Sequence, residues 1–365
     1  MFSLKNYSDF YKTIDHHNNS FFIGANTPKG FVYADKNLLS EAPLTKLYII
    51  KGGPGTGKST LMKKCRAHFE RLGYTVFSYY CSSDPDSLDA VIIEKESYRI
   101  AITDGTSPHA IDALFPGAVS KIIDLGTLWN ASALENQIEI IARECAEKAL
   151  AFDTARKYLA SAKEIKNILN NSATKGFDEE KTKKFISRLL ASIPKQKTKA
   201  IKKQVITEAI SMNGAIRLST FDNAEVLIGI EDFGGITPLF FDMLEKSIFE
   251  SGRSVTVSYS PLGEIAEIYL PEQNTAFVPA RDSIKYHRYI RLSRFANKEY
   301  FSSCIAKRRF NERCFLELLD GALASLADAK KHHFALEEIY SKAMDFSAID
   351  NIGSNLISSI EKKLL

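Results

Sequence analysis

The stretch Gly52-Gly53-Pro54-Gly55-Thr56-Gly57-Lys58-Ser59-Thr60 constrains this chain more than any other part of it. It fits GxxxxGK[ST], a spacing that has physical meaning only between a buried strand and a helix start. Both flanks are present. Leu47-Tyr48-Ile49-Ile50 is a short apolar run, as in a buried parallel strand, and Ser59 to Leu72 reads as a helix closed by Gly73. Glycines let the backbone turn through positive φ, so that successive N–H groups point inward as an anion nest. The helix start adds its positive dipole end. In such a loop Lys58 reaches the β- and γ-phosphates of a nucleotide and the Ser59 hydroxyl ligates Mg²⁺.

The metal needs a second oxygen group. Asp104 is the candidate, because it ends the apolar strand Ile100 to Thr103. Gly105 follows it, so the Asp-Glu pair with which many ATP-driven motors polarise water is missing. That points away from a fast hydrolase. It leaves a slow ATPase, a switch, or a phosphotransferase whose substrate supplies the nucleophile. Asp84, Asp86 and Asp89 follow the strand Thr75 to Tyr80 at the edge where α/β proteins bind ligands. Asp-Pro-Asp-Ser is equally ordinary turn and cap chemistry. His109 lies close after Asp104, and a solvated loop histidine is its simpler reading. No guanine-specific Asn-Lys-x-Asp follows the third strand, which favours ATP over GTP.

The wider chain suits an α/β fold with a largely parallel P-loop NTPase-like sheet. Its 365 residues imply roughly two domains. Residues 1–20 read as a polar lead-in, 21–130 as the P-loop core and 131–212 as a helical arm. In that arm, Phe177 to Met212 reads as two helices. Residues 213–296 read as a second α/β core and 297–365 as a C-terminal helical segment. The second half repeats the order of the first. Gly73, Val76 and Tyr80 recur at one spacing as Gly252, Val255 and Tyr259. Leu159-Ala160 and Ala162-Lys163 recur as Leu326-Ala327 and Ala329-Lys330. This points to an internal duplication whose second phosphate loop is degenerate. Ile236, Thr237 and Pro238 stand where Gly57, Lys58 and Ser59 stand in the first half. Isoleucine resists positive φ, threonine supplies no cation and proline no N–H. The second half is therefore expected to bind no nucleotide and to pack on the first as support or regulator.

Five scattered cysteines without a CxxC pair suit reduced thiols in a cytoplasm. Met1 to Lys12 has no apolar core of a secretory signal, and no apolar run is long enough for a membrane span. Basic residues cluster at 181–203, at Lys285 to Arg294 and at Lys307-Arg308-Arg309. A solvated helix face is their plain reading, and contact with nucleic acid or a protein is the alternative. Arg281, Arg288 or Arg291 is a candidate arginine finger. His16-His17 and His332-His333 read as surface pairs.

Several segments of the first half together resemble a family of bacterial proteins known only as P-loop ATPases. They are Thr27-Pro28-Lys29-Gly30, KGGPGTGKSTLMKK from Lys51, CSSDPDSLDAVII from Cys81, and DGTSPHAID from Asp104 with the following Pro116 to Val119. The resemblance covers about residues 21–130. It implies ATP binding and two tandem P-loop halves, and it implies no substrate. The second half departs from it, lacking both the phosphate loop and the TPKG turn.

Overall fold

The computed structural model describes residues 10–15, 19–34, 44–106, 110–113, 115–195, 199–282 and 284–364. The first half runs β1 (Lys12–Ile14), β2 (Ser20–Phe22), β3 (Gly24–Thr27), β4 (Gly30–Tyr33), β5 (Lys46–Lys51), α1 (Lys58–Arg71), β6 (Thr75–Tyr80), β7 (Leu88–Lys95), β8 (Tyr98–Asp104) and β9 (Ser120–Asp124). Helices α2 (Ala131–Glu135), α3 (Ile138–Lys175) and α4 (Glu179–Ala191) follow. The second half runs β10 (Lys202–Val205), β11 (Glu208–Ser211), β12 (Gly214–Leu218), β13 (Val226–Glu231), α5 (Thr237–Glu250), β14 (Val255–Tyr259), β15 (Ile265–Leu270), β16 (Thr275–Pro279) and β17 (Arg288–Arg291). It closes with α6 (Lys298–Ser303), α7 (Ile305–Lys342) and α8 (Phe346–Leu364).

Two six-stranded sheets form the centre, ordered β2-β6-β7-β8-β5-β9 and β10-β14-β15-β16-β13-β17. Their strand senses agree position by position. The sheets are mixed, not largely parallel as the sequence suggested. Leu88–Lys95, whose start fell in a stretch read as polar loop, forms a strand antiparallel to both neighbours. The stretch 177–212 likewise contains one helix followed by β10 and β11 rather than two helices. Pro194 ends the helical pattern, and Val205-Ile206 then meets sheet cores better than a helix face would. The first twenty residues are more than a lead-in: Tyr11 is buried, and β1 pairs with β12 in a small three-stranded sheet.

Strand periodicity explains the layering. In β5, Leu47 and Ile49 face a core shared with Leu227, Ala276 and Val278 of the other sheet. Tyr48 and Ile50 face the opposite way, against Leu61, Met62 and Phe69 of α1. Each fully buried aliphatic side chain of this kind stabilises the fold by about 1.5–3 kcal/mol. The helical arms are exchanged. Helix α8 packs Ile349, Leu356 and Ile360 into the first-half core, and α4 packs Phe185, Ile186 and Leu189 into the second. The 38-residue helices α3 and α7 pack along each other, with Ala162, Leu159, Leu319 and Leu326 between them. No described helix is long and apolar enough to cross a membrane.

A buried charge network ties the β11–β12 hairpin to the second sheet. Arg217 donates through Nε to Glu267 (2.7 Å) and through Nη1 to Asp222 (2.7 Å). Thr207 donates its hydroxyl to the other Glu267 oxygen (2.8 Å). Glu208, 3% exposed, stands in the same region. Burial first, and the Glu267 charge second, push its carboxyl up to about 7. The folded chain thus holds a proton that the unfolded chain, with a carboxyl near 4.5, releases. Stability is expected to fall as pH rises between about 4.5 and 7, by something on the order of 3 kcal/mol from this group. Thermal unfolding of the parent and Glu208→Gln at pH 5, 6 and 7.5 checks this. The variant is expected to lose less stability over that interval, and equal slopes would refute the assignment.

Candidate functional site

The loop after β5 has the geometry its glycines require. Gly55 and Gly57 stand at φ 67° and 81°, and Gly57 caps α1 in the left-handed conformation. A Cβ on Gly55 would also lie 2.6 Å from the carbonyl oxygen of Glu337 in α7, so the loop is closely covered. Thr56 donates its hydroxyl to the Gly53 carbonyl (2.8 Å). Lys58, the first residue of α1, curls back so that Nζ donates to the carbonyls of Gly52 (2.8 Å) and Gly53 (2.6 Å). The same nitrogen lies 3.6 Å from Asp104 Oδ2.

Sheet register explains how Asp104 reaches this point. β8 runs parallel beside β5 with Asp104 opposite Ile50, so the carboxylate emerges where the loop begins. It is 8% exposed. Burial raises its carboxyl above the usual range, while the Lys58 charge and the Thr106 N–H (2.7 Å to Oδ1) work against that rise. Thr106 also donates its hydroxyl to the Gly52 carbonyl (2.7 Å), which ties the end of β8 to the loop. Ser59 accepts the Leu88 N–H (2.9 Å) on its hydroxyl oxygen. Among the described residues, no group of three or more His, Cys, Asp or Glu is arranged to hold a metal. Ser59 and Asp104 offer instead two oxygen donors, a set that suits a hard cation sharing phosphate oxygens and water.

A cavity of about 800 Å³ opens from the loop. Pro54 to Thr60, Asp84, Asp89 and Asp104 line it. Asp86 does not line it: Asn213 approaches its Oδ2 at 3.4 Å and Lys63 donates to its carbonyl. Asp84 also accepts the Ser87 hydroxyl (2.7 Å), so part of this loop is the plain turn chemistry foreseen for Asp-Pro-Asp-Ser. His109, His16 and His17 lie outside the described residues. Thr27 and Gly30 of the TPKG turn line the cavity as well.

Much of the cavity wall was not legible in the sequence. Lys148, Phe152 and Arg156 come from α3, and Leu326, His333 and Glu337 from α7. His333 is therefore no plain surface residue; its Nε2 is 3.4 Å from Glu337. His332 bonds Glu144 (2.7 Å). The spacing Lys148, Phe152, Ala155, Leu159 does mark one helix face, but nothing local says what that face overhangs. The proposed finger arginines are elsewhere. Arg281 is buried 4.0 Å from Glu267, Arg288 lies over the Phe185 ring, and Arg291 pairs with Glu231. Of the basic stretch 181–203, Lys183, Lys184 and Arg188 are exposed on α4, while Lys202 pairs with Glu245 (2.8 Å).

The corresponding loop of the second half is closed by its own chain. Asp232 accepts the N–H groups of Gly235 (2.8 Å) and Thr237 (3.0 Å), and the Thr237 hydroxyl as well (2.6 Å). A carboxylate thus takes the donors at the start of α5 that a phosphate would need. Phe301 crowds Gly234, and Pro238 follows at the helix start. The TPKG turn, by contrast, is not lost in this half. Ser211-Met212-Asn213-Gly214 repeats its hydrogen bonds: Ser211 Oγ donates to the Gly214 carbonyl (2.7 Å) and accepts the Asn213 N–H (3.1 Å). Thr27 does the same with Gly30 (2.7 Å) and Lys29 (3.1 Å). Serine makes the same two bonds as threonine, so the two turns share a geometry without sharing their letters.

No protein-family model, curated protein or solved structure matches this chain.

Proposed function

We propose that this chain is an ATP-binding P-loop NTPase, a slow Mg²⁺-dependent ATPase whose second half is a degenerate duplicate of the first. The observation that carries the reading is the loop itself. Two glycines at positive φ, a helix start, Lys58 and Asp104 converge at the mouth of one cavity. That is the arrangement that binds a polyphosphate by backbone donors and one cation. Ser59 and Asp104 would hold Mg²⁺, and the ion would neutralise charge on the β- and γ-phosphates. Pro54, Gly55, Thr56, Gly57 and Thr60 would complete the cradle, while Gly52 and Gly53, which do not line the cavity, hold Lys58 through their carbonyls. The first-half motifs carry the resemblance to the P-loop ATPase family. The duplication is supported by equal strand orders and by two long helices of equal length.

Asp232 supports the absence of a second nucleotide site, since it already satisfies that nest. A phosphotransferase is the second reading, favoured by one observation: the cavity continues well past the loop between α3 and α7. Contact with nucleic acid through α4 has only exposed lysines in its favour.

Binding is tested by thermal unfolding. Mg·ATP at 100 times its Kd is expected to stabilise the fold by about 2.7 kcal/mol, and adenosine to do nothing. Absence of any shift or saturable heat at millimolar Mg·ATP would refute nucleotide binding.

A further inference from the structure

The cavity changes chemistry along its length. At the loop end it offers Lys58, Ser59 and Asp104. At the arm end it offers an apolar wall, Phe152 and Leu159 from α3, Leu326 from α7 and Met212 from the β11–β12 turn. Set into that wall are two cations, Lys148 and Arg156, and one carboxylate, Asp153. Arg156 is anchored from Nε and Nη2 onto one oxygen of Asp153 (3.1 and 2.6 Å), which fixes its direction and leaves Nη1 outside this pair. A polyphosphate has no use for the apolar wall, and a bare hydrocarbon has none for the cations.

A second observation points the same way. Helices α3 and α7 have equal length and corresponding places in the two halves. At the places in α7 that match Lys148, Phe152 and Arg156, the chain has Phe315, Leu319 and Leu323. Phe315 and Leu319 are buried in the core between the long helices. Among the described residues of the two long helices, the lysine and arginine of the cavity wall thus come from α3, while α7 gives Leu326, His333 and Glu337 to the same cavity.

We propose that the arm end of this cavity is a second ligand site, for a small organic anion with an apolar body. The anionic group would pair with Arg156 and Lys148, and the body would pack on Phe152, Leu326 and Met212. This rests on the phosphate-loop reading only for what occupies the other end. Apolar enclosure supplies affinity, and the oriented guanidinium supplies selection for the anion.

The test uses the full chain and 8-anilinonaphthalene-1-sulfonate, a fluorescent sulfonate with an apolar ring system. The parent is expected to bind one molecule saturably, with blue-shifted emission. Arg156→Glu and Phe152→Glu should each weaken that binding by about tenfold or more. Arg188→Glu on exposed α4 should leave it unchanged. Circular dichroism identifies a variant that fails to fold, and Arg156→Glu, at a half-exposed position, carries the test if Phe152→Glu does. Saturating Mg·tripolyphosphate, added as a loop ligand, should leave the probe bound. No saturable probe binding, equal binding in both variants, or displacement by tripolyphosphate would each overturn the second site. Absence of tripolyphosphate binding in calorimetry would instead overturn the phosphate-loop reading and leave the probe result standing.

Discussion

Lys58→Ala is expected to abolish Mg·ATP-dependent phosphate release, lowering it roughly 100- to 1,000-fold if the parent turns over. The ammonium lies within reach of both the loop carbonyls and Asp104. Without it the developing charge on the transferring phosphoryl group loses its nearest protein counter-charge. The substitution has a second consequence. Lys58 opposes the burial-driven rise of the Asp104 carboxyl, so its loss moves that group further toward the neutral acid. A protonated Asp104 is a poor metal partner. Lys58→Arg keeps the charge but not the compact ammonium, and should restore little turnover while sparing Asp104. Phosphate release is measured beside circular dichroism, so that loss of fold is not mistaken for loss of chemistry. Turnover that persists in Lys58→Ala would mean that another site hydrolyses ATP. Absence of turnover in the parent, with binding intact, would favour a phosphotransferase awaiting its acceptor or a nucleotide-sensing switch.

Arg217→Met is expected to destabilise the chain by about 3–5 kcal/mol. Arg217 is wholly buried, and it bonds both Asp222 and Glu267, the latter wholly buried as well. Methionine fills comparable volume but leaves two carboxylates without their principal cation. Arg281 stands 4.0 Å from Glu267 with no hydrogen bond from its guanidinium nitrogens, too distant to replace what is lost. The double variant Arg217→Met/Glu267→Gln should recover a large part, because the deficit comes from an unpaired buried charge more than from lost contact. Chemical denaturation checks both. A single variant within about 1 kcal/mol of the parent would mean that the network is dispensable.

The second-half loop shows how far letters mislead in both directions. Ile236, Thr237 and Pro238 point to a loop without a cation, but they do not reveal the Asp232 carboxylate sitting on the N–H groups. Ser211 to Gly214 looked unlike TPKG and makes the same turn. Hydrogen-bonding capacity, not residue identity, is what a turn conserves physically.

Residues 46–60 specify strand, loop and helix unaided, because each preference there is local: apolar run, glycines for positive φ, helix formers after them. The strands over 75–80 and 99–103 were legible for the same reason. The strand Leu88–Lys95 was not, since its pairing with two neighbours decides its conformation. Nor was the exchange of arms. An amphipathic helix carries an apolar face but no address, and α8 meets α1 across most of the chain's length through apolar packing and the pairs Lys64–Asp350 (2.6 Å) and His68–Glu361 (2.8 Å). The wall that α3 and α7 raise over the phosphate loop exists only because that packing is non-local. The sequence therefore determined the glycine loop and the lysine that opens its helix, and the tertiary structure alone decided what stands opposite them.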